Sequence, residues 1–226
     1  MGKKYELTTE TIVDRGHILY RIKSLRYFRD IKYGDLGGFI ESEDNLSHVS
    51  DCWVAENARV CRNAKIYDKA HISGNATISG NARIYGIARV YGNAHIYGDV
   101  RIHGNAHVYD NARVYDNARV YDNARVYDDA SIHGNTSVRA RSRVYEKAHV
   151  FGDVYIFGNA RVSGRTRVFG NTNVYGDSWI CGDAWVGGSR IYTYGNLKID
   201  HGVWTKQIKI DDTYYLISST LEKILV

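Results

Sequence analysis

A six-residue repeat runs without interruption through the middle of the chain. From Val54 to Val186, every sixth residue is valine or isoleucine, giving 23 positions with no slip and no insertion. The residue two places earlier is small, and from Ala58 to Ala184 it is always Ala, Val, Thr or Ser. Residues two apart on a β-strand point to the same side, so each hexad is a short strand with one large and one small inward residue. This alternation has no 3.6-residue component, which excludes a helical repeat.

Two turn residues follow each strand. The first is glycine at 13 positions between Gly74 and Gly182, and the second is mostly Asn or Asp. These residue types tolerate left-handed or tight backbone angles, so each hexad ends in a sharp turn. Three consecutive hexads then close one triangular coil. The sequence predicts an all-β fold, a left-handed parallel β-helix of about seven to eight triangular coils and roughly 35 Å in length.

The repeat is absent at both ends of the chain, where a solenoid needs caps because its end coils expose unpaired strand edges. A hairpin is expected around Asp14-Arg15-Gly16, and a second one around Asp211-Asp212, followed by a short helix at Thr220–Leu225. The pattern divides the chain into an N-terminal β-hairpin cap (residues 1–51), the left-handed β-helix (52–187) and a C-terminal cap with a hairpin and a short helix (188–226).

The excess of positive charge lies in the repeat. The formal net charge is +5 and the pI about 9.0, and residues 52–187 hold 17 Lys or Arg against 12 Asp or Glu. This balance permits contact with nucleic acid or with an acidic protein but establishes neither. No long apolar run predicts a membrane helix, and residues 1–10 lack the apolar core of a secretory signal. The three cysteines match no zinc or disulfide spacing, so reduced thiols and a cytoplasmic location are expected.

The repeat and the segment before it resemble known proteins. The hexads resemble those of the hexapeptide-repeat superfamily of left-handed β-helix proteins. The leader, with Lys4-Tyr5-Glu6-Leu7-Thr8, Leu19-Tyr20-Arg21-Ile22 and the run Gly34–Ser47, resembles a narrower group of phage, prophage and bacterial proteins. The superfamily resemblance implies acyltransferases, γ-type carbonic anhydrases or non-enzymatic solenoids. The phage resemblance implies a protein that counters host defence inside a bacterial cell, for example an anti-CRISPR.

Six histidines of the repeat bear on these enzyme classes. Each lies one residue before or after an inward position, so all six are expected to point outward from flat faces: His71, His95, His103, His107, His133 and His149. The uninterrupted hexads leave no room for the inserted loop that shapes an acyl-CoA site. No histidine stacks on another one coil away, which argues against a zinc site within one chain. We predict no catalytic residue, no metal and no cofactor. An acyltransferase-like enzyme with a histidine base at a subunit junction remains the alternative.

Two outward rows run side by side on one predicted face, an aromatic row and a basic row. Tyr and Arg are enriched at interface hot spots, and Arg can lie over Tyr. Such rows also occur on a solenoid surface that merely stabilises itself, and acidic corner residues dilute the positive field. The predicted binding surface consists of Arg89, Tyr91, His107, Tyr109, Arg125, Tyr127, Arg143, Tyr145 and Arg161.

These rows lead to a functional hypothesis. The chain is expected to be a non-enzymatic interaction protein, encoded by a phage or prophage, that docks through a rigid Tyr/Arg face and inhibits a host defence complex. The expected partner is a host protein or ribonucleoprotein complex, with no membrane contact. A nucleic-acid-binding solenoid is the second alternative, because Tyr and Arg can stack bases and hold phosphates. The flat faces also allow a homo-oligomer.

Overall fold

A computed structural model describes the backbone of residues 2–193, 197–210 and 213–218, and the side chains of residues 2–188 and 197–205. Within these residues it holds 28 strands and one short 3₁₀ helix, Glu43–Asn45. The strands are β1 (Tyr5–Asp14), β2 (His17–Ser24), β3 (Leu36–Ile40), β4 (Trp53–Val54), β5 (Arg59–Val60), β6 (Lys65–Ile66), β7 (His71–Ile72), β8 (Thr77–Ile78), β9 (Arg83–Ile84), β10 (Arg89–Val90), β11 (His95–Ile96), β12 (Arg101–Ile102), β13 (His107–Val108), β14 (Arg113–Val114), β15 (Arg119–Val120), β16 (Arg125–Val126), β17 (Ser131–Ile132), β18 (Ser137–Val138), β19 (Arg143–Val144), β20 (His149–Val150), β21 (Tyr155–Ile156), β22 (Arg161–Val162), β23 (Arg167–Val174), β24 (Trp179–Ile180), β25 (Trp185–Thr193), β26 (Lys198–Ile199), β27 (Val203–Ile210) and β28 (Thr213–Ser218).

The short strands stack in parallel on three faces, which confirms the predicted parallel β-solenoid. Face 1 is the nine-stranded sheet of β4, β7, β10, β13, β16, β19, β22, β24 and β26. Face 2 begins with β5 and β8, and face 3 with β6 and β9. Strand β23 runs through a corner and pairs with both β20 of face 2 and β21 of face 3, so these faces form one sheet. The register is three hexads per coil, as in Val90 opposite Val108.

The stack on face 1 extends past the last hexad. Strand β26 pairs with β24 through Lys198 opposite Trp179 and Ile199 opposite Ile180. This separation is one residue longer than the three hexads between paired residues elsewhere on the face. The hexads alone predicted seven to eight coils, whereas the described residues place nine strands on this face. One extra residue in the last connection breaks the sequence pattern without breaking the backbone pairing.

Both inward columns form the core. All 23 valines and isoleucines of the large column are at most 1% exposed, and every residue of the small column from Ala58 to Ala184 is fully buried. Each large side chain stabilises the fold by roughly 1.5–3 kcal/mol of burial before entropy. The small column holds a few hydroxyls, and Thr136 and Thr172 satisfy theirs by donating to the backbone oxygen three residues earlier.

The corners take the left-handed backbone conformation that the turn residues allow. Every first turn residue from Glu56 to Gly188 has a positive φ. Most of the acidic residues at these positions also link neighbouring coils. The carboxylate of each accepts a hydrogen bond from the backbone N–H of the corner residue one coil later. Such bonds run from Gly74 N to Glu56, Gly86 N to Asp68, Gly134 N to Asp116, Ala140 N to Asp122, Glu146 N to Asp128 and Gly164 N to Glu146.

The second turn residues form side-chain ladders along the corners. The amide of Asn75 donates to the oxygen of Asn93, that of Asn93 to Asn111, and that of Asn111 to Asp129, at 3.0–3.1 Å. A carboxylate accepts but cannot donate, so the run of amide bonds ends at the aspartate. These ladders tie neighbouring coils together on the outside of the solenoid.

The N-terminal segment covers the first coil. Strands β1 and β2 pair antiparallel, and β3 pairs with β2 and also with β5, which joins this hairpin to the solenoid. The buried Lys4 donates from Nζ to the backbone oxygens of Ser50 and Cys52 at 2.8 and 2.7 Å. Trp53 packs edge-on against Tyr5 and Phe28. The start of the solenoid is therefore closed by aromatic packing.

The far end continues as strands. Trp185 of β25 lies opposite Val203 of β27, and β27 pairs antiparallel with β28. The helix expected at Thr220–Leu225 lies outside the described residues. No helix of the described part is long and apolar enough to span a membrane.

Candidate docking surface

Face 1 brings all nine residues of the predicted binding surface together. The basic column follows the first residue of successive strands, with Arg89 opposite His107, His107 opposite Arg125, and Arg143 between Arg125 and Arg161. The aromatic column lies two residues further along each strand, on the other side of the buried valine. Both columns are held by the backbone register of the solenoid. The surface they form is therefore a product of the repeat.

The tyrosines of face 1 stack on one another. The ring centroids of Tyr91 and Tyr109 are 4.8 Å apart, those of Tyr109 and Tyr127 4.9 Å, and those of Tyr127 and Tyr145 5.0 Å. The ring planes differ by only 2–4°. Each inner tyrosine has a ring on both sides, so the column presents ring edges and hydroxyls to a partner.

The sequence allowed the arginines to lie over the tyrosine rings. In the described part of the structure they do not. Among the described side chains, cation–π contacts join Lys or Arg to Phe and Trp, as in Arg139 over Phe157 and Arg167 over Trp185. None of these contacts involves a tyrosine. The facing sides of the tyrosine rings are occupied by one another, which leaves the guanidinium groups beside the column.

The phenols of Tyr91, Tyr109 and Tyr127 stay protonated at neutral pH. Burial raises the pKa of Tyr109 to about 12, and the neighbouring phenols of Tyr91 and Tyr127 add to the rise. Burial also raises the pKa of Tyr91 and of Tyr127. A neutral phenol both donates and accepts hydrogen bonds. The tyrosine column thus offers a regular row of donors.

The arginine column carries unbalanced charge. Arg89, Arg125, Arg143 and Arg161 are exposed, and none of them forms an ion pair with a described carboxylate. Burial lowers the pKa of His107, and the flanking Arg89 and Arg125 lower it further. That imidazole is therefore neutral near pH 7. The net positive charge of the column comes from four guanidinium groups.

Acidic residues lie at the corner beyond the tyrosines. Asp110, Asp128 and Glu146 each follow a tyrosine of the column. Asp128 and Glu146 accept backbone hydrogen bonds from the next coil at 3.0 and 2.6 Å, which holds them at the corner. The tyrosine column therefore separates a basic strip from an acidic one.

Two histidines form part of the aromatic columns on the other faces. On face 2, His133 stacks between Tyr115 and Phe151 at 4.6 and 5.2 Å. On face 3, His103 stacks between Tyr85 and Tyr121 at 4.7 and 5.0 Å. Within the described residues, no group of three or more His, Cys, Asp or Glu is arranged to hold a metal ion.

Sequence reasoning missed two residues near the start of face 1. Arg29 and Asp30 belong to a tight turn in which Phe28 bridges Ile31, and Arg29 has a φ of +53°. The guanidinium of Arg29 donates to the backbone oxygen of Lys69 at 3.3 Å. This turn overhangs a depression of about 370 Å³ lined by Arg29, Asp30, His71, Ser73, Arg89, Tyr91 and His107. No periodicity marks the turn, so the repeat could not reveal it.

Comparison with known proteins agrees with the architecture. Residues 70–86, 88–104, 106–120 and 118–134 match the family model of the YdcK Beta solenoid repeat. These segments lie within the hexads and span less than half of the chain. No curated protein matches the chain. The chain is a repeat β-solenoid protein, and its central coils are similar to the YdcK repeat.

Proposed function

We propose that the chain is a non-enzymatic interaction protein that docks through face 1 onto an acidic surface of a protein partner. The observation that carries this proposal is the exposed column of four arginines without ion-pair partners among the described carboxylates. It runs beside a column of tyrosine hydroxyls, of which that of Tyr109 has a pKa raised to about 12. Guanidinium groups bind carboxylates in a bidentate geometry, and complementary charge directs both encounter and register.

Rigidity supports a docking role. The tyrosine rings are fixed by their neighbours at 4.8–5.0 Å, and the strands below them are fixed by backbone pairing in every coil. A surface that is already ordered loses little conformational entropy when a partner binds. Face 1 is therefore suited to bind a partner surface whose shape and charge are complementary to it.

The stacking favours a protein over a single-stranded nucleic acid. Proteins that hold single strands without sequence preference stack bases on open aromatic faces. Both faces of the inner rings, Tyr109 and Tyr127, are covered by other tyrosines, and Asp110, Asp128 and Glu146 would repel a phosphate backbone along one edge. Nucleic-acid binding is therefore the alternative function, and the experiment below distinguishes it from protein docking.

The nature of the partner rests on resemblance. The leader resembles phage and prophage proteins, and we therefore propose a host defence complex in the bacterial cytoplasm as the target. The superfamily resemblance likewise supports left-handed winding of the coils.

The test compares two charge-reversal variants. One carries Arg125→Glu, Arg143→Glu and Arg161→Glu on face 1. The other carries Arg83→Glu, Arg101→Glu and Arg119→Glu, which occupy the equivalent position in three consecutive coils of face 3. Both change the net charge equally, so a general electrostatic effect would weaken both alike.

The readout is capture of a stoichiometric partner from bacterial lysate, with and without nuclease. The proposal expects a nuclease-resistant protein complex that the face 1 variant loses and the face 3 variant keeps. Equal loss in both variants would contradict it. Capture that disappears with nuclease and falls steeply with salt would support the nucleic-acid reading.

A further inference from the structure

The tyrosine column of face 1 begins with a ring that is stacked on one side only. Tyr109 covers one face of Tyr91 at 4.8 Å. The position one coil earlier is Ser73, whose side chain is too small to form a rung. Tyr91 also lines the depression under the Arg29–Asp30 turn. One face of the Tyr91 ring therefore borders this depression.

The opposite end of the column is different. The position one coil beyond Tyr145 is Ser163, which is buried and accepts a hydrogen bond from the Trp179 indole N–H at 3.2 Å. The depression, and with it the site for an added ring, lies at the Tyr91 end.

Two arginines line the depression at the Tyr91 ring. Arg29 reaches the depression from the N-terminal turn and Arg89 from the basic column, and among the residues that line it Asp30 alone is acidic. His71 and His107 also line the depression, and both lie opposite Arg89 in the basic column. Burial lowers the pKa of both imidazoles, with Arg29 the next cause at His71 and Arg89 at His107. Each is therefore a neutral ring that can donate one hydrogen bond and accept another.

We propose that this depression binds a mononucleotide, with the base stacked on Tyr91 as an additional rung and the phosphate held between Arg29 and Arg89. Its volume of about 370 Å³ falls at the small end of ligand sites, which suits one base with one phosphate. The inner tyrosines have both faces covered, so a base can stack only at an end of the column, and the depression lies at the Tyr91 end. This binding goes beyond docking along face 1, because it requires no partner protein.

The test titrates adenosine monophosphate into the full-length chain by calorimetry, with adenosine and inorganic phosphate as separate ligands. The mononucleotide is expected to bind at least about tenfold more tightly than either fragment, because stacking and charge act together. Equal affinity for phosphate alone would overturn the stacking part, and equal affinity for adenosine would overturn the phosphate part.

The sharpest variant is Ser73→Tyr, which supplies the missing rung from the chain itself. Tyrosine already occupies this position in four consecutive coils, so the variant is expected to fold and to lose about tenfold or more in affinity. Arg89→Gln should cost a similar factor, whereas Arg101→Gln, at the equivalent exposed position of a face 3 strand, should cost nothing. Unchanged binding by Ser73→Tyr, or equal losses in the two arginine variants, would overturn the proposal. If Ser73→Tyr does not fold, the comparison of the two arginine variants tests the proposal by itself.

Discussion

The ring of Tyr109 lies parallel to the ring of Tyr127, with centroids 4.9 Å apart and planes within 2°. The two residues are three hexads apart in sequence, which is one coil. Parallel strands in a sheet lie about 4.8 Å apart, so identical residues one coil apart stack ring on ring. The same spacing sets every rung of the aromatic columns.

Removing a rung from the middle of the column should destabilise the solenoid. Tyr127→Ala is expected to lower the free energy of unfolding by about 2 kcal/mol, because it removes two stacked contacts and a half-buried ring. Tyr127→His should cost less than half as much, since His103 forms a rung between Tyr85 and Tyr121. Urea unfolding followed by circular dichroism measures both. Equal costs for the two variants would show that stacking contributes little.

One hydroxyl of the small inward column lacks a hydrogen-bond partner among the described residues. The side-chain oxygen of Thr166 is buried and unpaired within them, whereas the hydroxyl of Thr172 donates to the backbone oxygen of Phe169 at 2.6 Å. Thr166→Val is expected to stabilise the protein by about 1 kcal/mol, because an unpaired buried hydroxyl carries a desolvation cost. Valine already occupies this column at Val154. The melting temperature in thermal unfolding shows whether the variant is more or less stable than the original protein.

The matched control is Thr172→Val, which has the same change in shape but loses a hydrogen bond. It should destabilise by about 1 kcal/mol. A shift of the same sign in both variants would rule out this explanation.

One corner holds alanine in the left-handed conformation. Ala140 has a φ of +61°, where a side chain without a polar group costs roughly 1–2 kcal/mol. Ala140→Gly is therefore expected to raise the free energy of unfolding by about 1 kcal/mol. The converse change, Gly134→Ala, should destabilise, because its Cβ would lie 2.8 Å from the backbone nitrogen of Gly152. Opposite shifts in melting temperature would support the corner geometry, and parallel shifts would contradict it.

The outward histidines make stability depend on pH. Burial is the largest cause of the lowered pKa values of His71, His95, His103, His107 and His149. As the pH falls through about 6.5, the unfolded chain takes up protons before the folded one does. The unfolded state then binds more protons, so the free energy of unfolding decreases as pH falls.

Stability should therefore be flat above about pH 7 and decline from about pH 6.5 toward 5. The lowered pKa values of Glu41 and Glu43 act in the same direction, but only below the usual range of a glutamate. Unfolding midpoints across this range provide the measurement. His107→Gln should give a shallower decline, and an unchanged slope would exclude this histidine as a contributor.

Much of the solenoid could be predicted because its contacts are periodic. A residue in a coil meets the residues three hexads before and three hexads after it, so a strict hexad identifies both inward columns and both outward columns of face 1. The structure buries every inward position. The hexads did not predict the extra strand Lys198–Ile199. One added residue moves its side chains out of the six-residue register, but the backbone still pairs with the strand one coil earlier.

The sequence by itself determined the strands of the hexads, their corners, the core and the membership of the Tyr/Arg face, because each follows from a one-dimensional period. The tertiary structure decided that tyrosine rings cover one another and leave the arginines beside them, since that is a choice of side-chain conformation. It also brought Arg29 over His71 and Arg89. Contacts between a cap and a coil join residues at arbitrary separation, and no period in the chain encodes them.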